Sequence, residues 1–354
     1  MDKQNRPEIK MTNNIRIIHI RFLCYNDKIK NIYNSLDLPY KDRKKEKNKK
    51  KTKTKENKNE KPQEKMIANK YEIQEKIGHG NFGSIFLGEN RFSKKKVAIK
   101  IEKEGSLRNE SRILEFLARN GCGKHIAQIF WYGVQDNYYI LVMTHIAGIS
   151  LTEYITTETK PQDKIGWFLA AIKILEKIHS VGVIHRDIKP AHFLFWKDTW
   201  YLIDFGFSTF YIENMGSSTE EEVKSAREYI IGTPNYISVP VHNGFSPTAR
   251  DDIISLIYIF LELCEKERLP WSRTVLFPTE ETEKYPECHI LHIQNQYKKK
   301  YKEKWENENS EHICHSFLQK IYASKVTTSI YTHLYDELVQ RYEETTKSDN
   351  KQYK

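Results

Sequence analysis

Two short stretches carry the residue types that could do chemistry in this chain. Residues 185–187 read His-Arg-Asp, and residues 204–206 read Asp-Phe-Gly. The carboxylate of Asp187 could accept the proton of an attacking hydroxyl, and that of Asp204 could hold a metal ion that bridges phosphate groups. Lys189 adds a positive charge that would offset negative charge on a transferring group. The combination predicts phosphoryl transfer, which depends mainly on positioning and charge neutralisation.

A glycine-rich stretch upstream could hold phosphate groups. The sequence Gly-His-Gly-Asn-Phe-Gly contains Gly78, Gly80 and Gly83, whose backbone can approach phosphates closely, and Phe82, which could cap the loop. On its own such a stretch is a weak signal. A dinucleotide fingerprint would open a helix after the third glycine, whereas residues 84–88 continue as a strand. The context therefore argues against dinucleotide binding.

A lysine and a glutamate follow at positions where they can pair. Lys100 ends the strand sequence Val-Ala-Ile-Lys, and Glu110 stands on a predicted amphipathic helix. An ordinary surface pair, worth up to about 1 kcal/mol, is the alternative. Because the two residues lie between the glycine-rich stretch and Asp187, a pair that serves the phosphate site is favoured.

Apolar patterning predicts the elements that position these residues. Short alternating stretches predict strands, and an amphipathic pattern predicts a helix over residues 106–118. The predicted strands cover residues 71–77, 84–88, 96–101, 126–132 and 138–143. These segments indicate an antiparallel sheet with one main helix. Beyond Gly148 the pattern becomes helical, beginning with Pro161 at a first helical position.

Two later segments predict further helices. Residues 252–264 are apolar on nearly every face, yet they are far shorter than the roughly 20 residues that span a bilayer. They therefore predict a helix buried within a helical lobe. Ile293, Tyr297, Tyr301 and Trp305 recur every four residues on a Lys-rich helix. Core packing is the favoured interpretation of that stripe, and a docking face is the alternative.

Charge is distributed unevenly along the 354 residues. The chain holds 57 Lys and Arg against 47 Asp and Glu, a net charge of +10. Residues 1–65 hold 20 basic and 9 acidic residues, net +11, which leaves 37 and 38, net −1, for residues 66–354. The basic charge that could attract nucleic acid or an anionic surface therefore belongs to the N-terminal segment alone.

The segment over residues 41–65 contains no aliphatic or aromatic side chain. Because nothing there can be buried to offset the entropy of ordering, we expect residues 1–65 to form a disordered basic tail, and residues 346–354 a disordered C-terminus. Residues 41–65 could be a nuclear-import signal or a weak contact for nucleic acid or an anionic surface, but solvated low complexity is favoured. Initiation at Met66, with residues 1–65 untranslated or dispensable, is a further alternative.

Five cysteines are scattered through the chain with no secretory segment ahead of them. We therefore expect no disulfide framework and an intracellular, cytoplasmic and/or nuclear location. No segment predicts a membrane span, and we expect a monomer. Two His/Cys groups could ligate zinc, but their spacing fits no closed zinc site, and helical core residues are favoured. The groups are Cys288, His289 and His292, and His312, Cys314 and His315.

Residues 232–236, Gly-Thr-Pro-Asn-Tyr, complete a set of five motifs in one order along the chain. Together the motifs resemble the eukaryotic protein kinase superfamily over residues 71–343. The resemblance implies an α+β, two-lobed fold with ATP in the cleft between the lobes. A small antiparallel-sheet lobe with one main helix would cover residues 66–146, and a larger, mainly helical lobe would cover residues 147–345.

Within that superfamily the sequence is similar to the casein kinase 1 group. The similarity rests on residues 69–71, 184–190, 193–194, 238–240, 250–252 and 269–271, while residues 243–244 are closer to the vaccinia-related kinases of the same group. Asn235 departs from the pattern, because casein kinase 1 has an Arg there that binds a phosphate already on the substrate. We therefore expect such priming to improve turnover only modestly.

The resemblance also implies roles for individual residues. Asp187 would be the catalytic base, assisted by Lys189 and Thr233, a pairing that implies serine/threonine substrates in proteins. Asp204 and His192 would hold the metal. The residues expected at the ATP site are Ile77, Gly78, Gly80, Phe82, Gly83, Ile85, Ala98, Lys100, Glu110, Met143 as the gatekeeper, and Thr144 and Ile146 in the hinge.

His192 is the second departure, because the family's metal-binding residue at that position is Asn. We expect ATP and Mg as cofactors; imidazole suits softer metals better than Mg, so Mn should improve activity. The resemblance implies a serine/threonine protein kinase, and the alternative is a nucleotide-binding pseudokinase that acts as an interaction scaffold. Ser217, Ser218 and Thr219 could be phosphorylated and pair with Arg186, but a polar loop without that role is favoured.

Overall fold

The computed structural model of the chain describes residues 66–79, 83–103, 105, 107–155, 159–211, 230–265, 269–273, 286–307, 312–323, 330–340 and 343. Several sequence-based predictions fall outside the described residues, namely those on residues 1–65 and 346–354, on Gly80 and Phe82, and on Ser217, Ser218 and Thr219. Within the described ranges, no helix is long and apolar enough to cross a membrane.

Among the described residues, six strands form the antiparallel sheet of the first lobe. They are β1 (Met66–Ile67), β2 (Tyr71–His79), β3 (Gly83–Asn90), β4 (Lys96–Glu102), β5 (Ile129–Gln135) and β6 (Tyr138–Thr144). Hydrogen-bonded neighbours follow the order β1-β2-β3-β4-β6-β5. Alternating apolar residues such as Tyr71, Ile73 and Phe86 place their side chains in the core of this lobe.

The strand β5 begins later than the sequence predicts. Strand character is predicted over residues 126–132, whereas β5 begins at Ile129 and continues to Gln135. Ile126 and Ala127 are buried, and Ile126 belongs to the larger apolar core of the chain rather than to the sheet. An apolar side chain can be buried without strand pairing, so the apolar run misplaced the start of the strand.

The helix α1 (Leu107–Leu117) packs beside this sheet. Leu107, Ile113, Leu114 and Leu117 are buried at helical spacing, as the amphipathic pattern predicts. Glu110 is buried on the same helix although it is charged. Glutamate is almost never fully buried unless it is paired, so the helix must deliver this carboxylate to a partner.

The second lobe is mainly helical. Its helices are α2 (Leu151–Tyr154), α3 (Pro161–Ser180), α4 (Val239–His242), α5 (Ala249–Glu265), α6 (Pro286–Asn307), α7 (Ile313–Ala323) and α8, a helical run over residues 330–340. Its short strands are β7 (Ile149–Ser150), β8 (Val183–Ile184), β9 (Phe193–Trp196), β10 (Thr199–Leu202) and β11 (Thr209–Phe210). The helix α3 begins with Pro161, as predicted.

The helix α5 is buried in the middle of the second lobe, as predicted. Residues 253–261 are all buried, and Phe260 stacks on Phe168 of α3 with ring centroids 4.3 Å apart. Each fully buried aliphatic or aromatic side chain contributes about 1.5–3 kcal/mol. This helix is therefore a rigid base for the loops that pack against it.

The predicted stripe on α6 lies in two environments. Tyr301 packs edge-on against Trp271 with ring centroids 5.6 Å apart, which confirms core packing at this position. Tyr297 is 48% exposed, so core packing is wrong there. The side chains of Ile293 and Trp305 lie outside the described residues. A four-residue period drifts around a helix of 3.6 residues per turn, so one stripe need not keep a single face.

The two lobes together confirm the α+β, two-lobed fold that the sequence predicts. Strands β4 and β6 of the first lobe, the loop after β8 and the loop after β10 meet at the junction of the lobes. The residues that carry the predicted chemistry lie on these elements. The division at residues 146 and 147 stays a prediction.

Candidate active site

A carboxylate from α5 fixes the His-Arg-Asp loop that follows β8. The Asp252 carboxylate accepts hydrogen bonds from the backbone N–H of His185 at 2.6 Å and of Arg186 at 2.8 Å, and lies 3.0 Å from His179 Nε2. Burial would raise the pKa of Asp252, but its bonds with His179 and His185 lower it below the usual value. The loop needs this support because Arg186 has a φ of 69°, which is strained for a residue with a side chain.

His185 links this loop to the backbone before Asp204. The backbone N–H of Asp187 donates to His185 Nδ1 at 3.3 Å, so Nε2 carries the ring proton and donates to the Ile203 carbonyl at 3.1 Å. Burial, and then the neighbouring His192, lowers the pKa of His185 to about 4. The ring is therefore neutral at pH 7 and serves as a bridge between two loops.

The Asp187 carboxylate holds two partners, one on each oxygen. Thr233 Oγ1 donates to Oδ1 at 2.6 Å, and Lys189 Nζ lies 2.9 Å from Oδ2 and 3.3 Å from the Thr233 hydroxyl. Burial opposes ionisation of Asp187, but its neighbours His192 and Lys189 and the Thr233 bond lower its pKa below the usual value. Asp187 is therefore ionised at neutral pH and can accept a proton.

A second cluster joins β4, α1 and the Asp-Phe-Gly segment. Lys100 Nζ lies 2.7 Å from Glu110 Oε2 and 3.0 Å from Asp204 Oδ1, with the lysine side chain 2% exposed. Burial alone would lower the pKa of Lys100, but the carboxylates of Asp204, Glu110 and Glu102 raise it above its usual value. The surface-pair alternative is therefore wrong, because both partners are buried and Asp204 joins them.

The Asp-Phe-Gly segment turns sharply at its first residue. Asp204 has a left-handed φ of 63°, and Phe205 is buried with its ring 4.9 Å from that of His185. A Cβ on Gly206 would lie 3.3 Å from Asp204 Oδ1, tighter than most real Cβ contacts. Asn109 of α1 donates to the Ser208 carbonyl at 2.8 Å. These contacts turn the Asp204 carboxylate towards Lys100.

His192 lies between the Asp187 and Asp204 segments. Its Nδ1 is 2.9 Å from the Asp187 carbonyl oxygen, which can only accept, so Nδ1 carries a proton. Its Nε2 faces Asp204 Oδ2 at 3.4 Å. Burial would raise the pKa of Asp204, but Lys100 and His192 hold it well below the usual value. The imidazole thus offers Nε2 to the place where Asp204 would hold a cation.

Lys100, Glu110, Lys189, His192 and Asp204 face one cleft of about 640 Å³ between the lobes, whose lining does not include Asp187. This volume is typical of small-molecule sites. The predicted residues that line it are Ile77, Gly78, Ile85, Ala98, Lys100, Glu110, Met143, Thr144, Ile146, Lys189, His192 and Asp204. Gly83 lies at the start of β3, where a Cβ would clash with the Ile101 carbonyl oxygen, so strand packing requires a glycine there. Its contact with a phosphate stays a prediction. The cleft is also lined by four apolar residues that the sequence did not predict there, Leu114, Ala127, Leu194 and Leu202. Their apolar side chains indicate burial but do not distinguish a cleft from the core.

The Gly-Thr-Pro-Asn-Tyr loop packs directly on the His-Arg-Asp loop. Gly232 has a φ of 110°, and a Cβ there would lie 2.7 Å from the Arg186 carbonyl oxygen, so only glycine allows this approach. On its other side, Trp271 Nε1 donates to the Asn235 carbonyl at 2.7 Å, and Gln294 Nε2 donates to Asn235 Oδ1 at 2.8 Å. Neither partner could be predicted from the sequence, because both are distant from Asn235 in the chain.

The zinc alternative finds no support among the described side chains, where no group of three or more His, Cys, Asp or Glu could hold a metal ion. His315 Nε2 lies 3.0 Å from the Tyr301 hydroxyl. The side chains of Cys288, His289 and His292 lie outside the described residues.

This site combines clustered carboxylates, two lysines and loops whose close approach requires glycine. Such a site suits the positioning and charge neutralisation of a phosphate-bearing ligand. A family model described as a protein kinase domain matches residues 71–334, more than half of the chain. The chain therefore belongs to the protein kinase family.

Proposed function

We propose that this protein kinase transfers the γ-phosphate of ATP to serine and threonine hydroxyls of protein substrates and belongs to the casein kinase 1 group. The observation that carries the proposal is the triangle of Asp187, Lys189 and Thr233. One carboxylate oxygen of Asp187 accepts from the Thr233 hydroxyl at 2.6 Å, and the other lies 2.9 Å from Lys189. The ionised base therefore already holds a hydroxyl, the group that a serine or threonine substrate would present.

The cleft residues fit ATP. Lys100 presents a buried ammonium held by Glu110 and Asp204, which suits the α- and β-phosphates of a nucleotide. Ile77, Ile85 and the other apolar residues of the cleft suit the flat base. Removing one partner of a buried ion pair leaves the other charge buried and unpaired, which is strongly destabilising. The Lys100–Glu110 contact therefore keeps the ammonium in one place.

The residues at the metal position also fit, with one qualification of ligand type. Asp204 supplies the carboxylate oxygen that Mg prefers, and His192 Nε2 supplies a nitrogen, which Mg accepts less readily than Mn does. Bound with ATP, the metal would neutralise charge on the β- and γ-phosphates. Asp204 and His192 would hold it.

In the transfer step, the chain's own residues position and move a proton. Asp187 accepts the proton of the substrate hydroxyl at Oδ1 or Oδ2, because its lowered pKa keeps it ionised at neutral pH. Lys189 neutralises charge on the transferring phosphoryl group. His192 donates Nδ1–H to the Asp187 carbonyl oxygen and so helps to fix the base.

Membership of the casein kinase 1 group is supported by the environments of its motif residues. Ser238 replaces the Ala of the usual Ala-Pro-Glu, caps α4 and donates to Asp251, which is buried at the start of α5. Asp252 anchors the His-Arg-Asp loop. Asn235 is turned towards Gln294 of α6, so its side chain is held away from a priming phosphate.

The test is phosphate transfer from labelled ATP to casein by the full chain, compared with Asp187→Asn. Wild type should transfer phosphate with Mg or Mn, and Asp187→Asn should lose at least a hundredfold in rate, since the base contributes about 10²–10⁴-fold. Both proteins should show the same thermal stabilisation by ATP. Phosphoamino-acid analysis should find phosphoserine or phosphothreonine. Transfer to tyrosine, or equal rates for the two proteins, would contradict the proposal.

A further inference from the structure

Lys298 of α6 is a buried lysine that the transfer step does not use. It is 2% exposed, and its Nζ donates to the Pro234 carbonyl at 2.8 Å and to the Ile237 carbonyl at 2.6 Å. His242 Nε2 lies 3.1 Å from the same nitrogen. These three acceptors match the three N–H donors of an ammonium. The side chain is therefore fully used in holding one short stretch of backbone.

The surroundings of Lys298 suit a charged ammonium. Its Nζ lies 5.3 Å from the ring centroids of both Tyr258 and Trp271, whose faces attract a cation. Burial holds the pKa of Lys298 well below its usual value, and the three acceptors and two ring faces oppose this by favouring the charged form. Burial also lowers the pKa of His242 to about 2, so this imidazole is neutral and free to accept at Nε2.

The backbone that Lys298 holds is the loop that presents Thr233 to Asp187. Within the loop, the backbone N–H groups of Tyr236 and Ile237 donate to the Thr233 carbonyl at 2.9 and 3.1 Å. Lys298 donates to the Pro234 carbonyl near the start of this turn and to the Ile237 carbonyl at its end, so it holds the turn at two points. A shift of the turn would move the Thr233 hydroxyl away from Asp187.

We infer that Lys298 is a positioning residue for the phosphoacceptor site: its ammonium anchors the 233–237 loop to α6 and thereby holds Thr233 against Asp187. The inference rests on the proposed function, because it assigns the loop a place beside the accepted hydroxyl. It concerns peptide placement and leaves the nucleotide cleft untouched, since Lys298 does not line that cleft.

The test compares Lys298→Met, which keeps the length of the side chain and removes its donors, with Lys300→Met. Lys300 is exposed on the same helix and serves as the matched control. A displacement of about 1 Å at a reacting group can cost about 10²-fold. We expect kcat/KM for a serine peptide to fall tenfold to a hundredfold in Lys298→Met, with the KM for ATP within about twofold. Lys300→Met should match wild type, and Lys298→Arg should recover part of the loss.

Hydrogen exchange separates this inference from the proposed function. In Lys298→Met, the amides of Tyr236 and Ile237 should exchange at least tenfold faster, while those of residues 253–261 in α5 stay unchanged. This readout stands even if no protein transfers phosphate, in which case only the proposed function fails. Unchanged exchange in the loop together with unchanged peptide kinetics overturns the inference. If Lys298→Met does not fold, His242→Phe removes one acceptor and should give the same changes to a smaller degree, and no change in that variant also overturns it.

Discussion

Replacement of His192 by Asn is the sharpest test of the proposed metal site. His192 donates Nδ1–H to the Asp187 carbonyl and presents Nε2 at 3.4 Å from Asp204. An Asn side chain has both an N–H that can make the first bond and an oxygen that can face the cation. The substitution therefore keeps the contact that fixes the base and exchanges a nitrogen ligand for an oxygen ligand.

The expected gain follows from that single ligand exchange. If the oxygen improves stabilisation of the transition state by about 1.4 kcal/mol, the rate with Mg rises about tenfold. The loss of the imidazole, which packs 5.8 Å from the His185 ring, should cost about 1 kcal/mol of stability and about 2–4 °C in Tm. Turnover should therefore rise with Mg although the protein becomes slightly less stable.

The assay measures initial rates of casein phosphorylation at saturating ATP, with Mg and with Mn, for both proteins. Wild type should be faster with Mn than with Mg, and His192→Asn should lose that preference. The matched control is His125→Asn, because His125 Nδ1 also bonds a backbone carbonyl, that of Trp200 at 2.9 Å, outside the cleft. A His192→Asn protein that binds ATP but gains nothing with Mg, with the metal preference unchanged, refutes the reasoning.

Three further predictions test other parts of the molecule. A phosphate placed on a substrate peptide should raise kcat/KM less than tenfold, because Asn235 is uncharged and its side chain is hydrogen-bonded to Gln294. A hundredfold gain in kinetics on matched peptides, about 2.7 kcal/mol, would reveal another basic group. A chain without residues 1–65 should keep its Tm and activity and lose most affinity for heparin or nucleic acid, with a smaller salt slope; an inactive or insoluble truncation contradicts this. Asp252→Asn should lower the free energy of unfolding by about 2–4 kcal/mol at pH 7, measured with urea, because its amide would meet backbone N–H donors. Since the folded pKa of Asp252 is lowered, its stabilisation is present above the unfolded value of about 4 and is lost as pH falls through the folded value, so the two proteins should converge in acid.

The resemblance to protein kinases predicts which residues meet, because it carries over the spatial arrangement of the motifs together with their residues. Asp187, Lys189 and Thr233 converge, and so do Lys100, Glu110 and Asp204. Their environments could not be predicted from the same residues. The roles of Trp271 and Gln294 in holding Asn235 depend on packing between segments far apart in the chain, which leaves no local pattern.

Apolar patterns in the sequence are ambiguous where a residue is buried without being paired in a strand. Ile126 is apolar because it fills the larger core, and not because it lies in a strand. Gly83 belongs to the glycine-rich motif that predicts phosphate contact, and β3 also requires a glycine there for close strand packing. In both cases one residue type satisfies two different physical demands, and only the tertiary structure distinguishes them.

The two loops at the phosphoacceptor site are supported from different helices. Asp252 of α5 anchors the His-Arg-Asp loop, and Lys298 of α6 anchors the loop that carries Thr233. The helices meet through Trp271, whose ring lies 4.8 Å from Tyr258 of α5 and 5.6 Å from Tyr301 of α6.

The 2.6 Å contact between Thr233 and Asp187 therefore depends on two anchored loops, and the helices that anchor them are in contact through Trp271. Aromatic pairs contribute about 0.5–1.5 kcal/mol beyond the area they bury, and Lys298 of α6 also lies 5.3 Å from the Tyr258 ring of α5. A change at Trp271 would shift one anchor relative to the other without touching a reacting group. The position of the Thr233 hydroxyl against Asp187 therefore depends on how α5 and α6 are held relative to each other, as well as on the motif residues themselves.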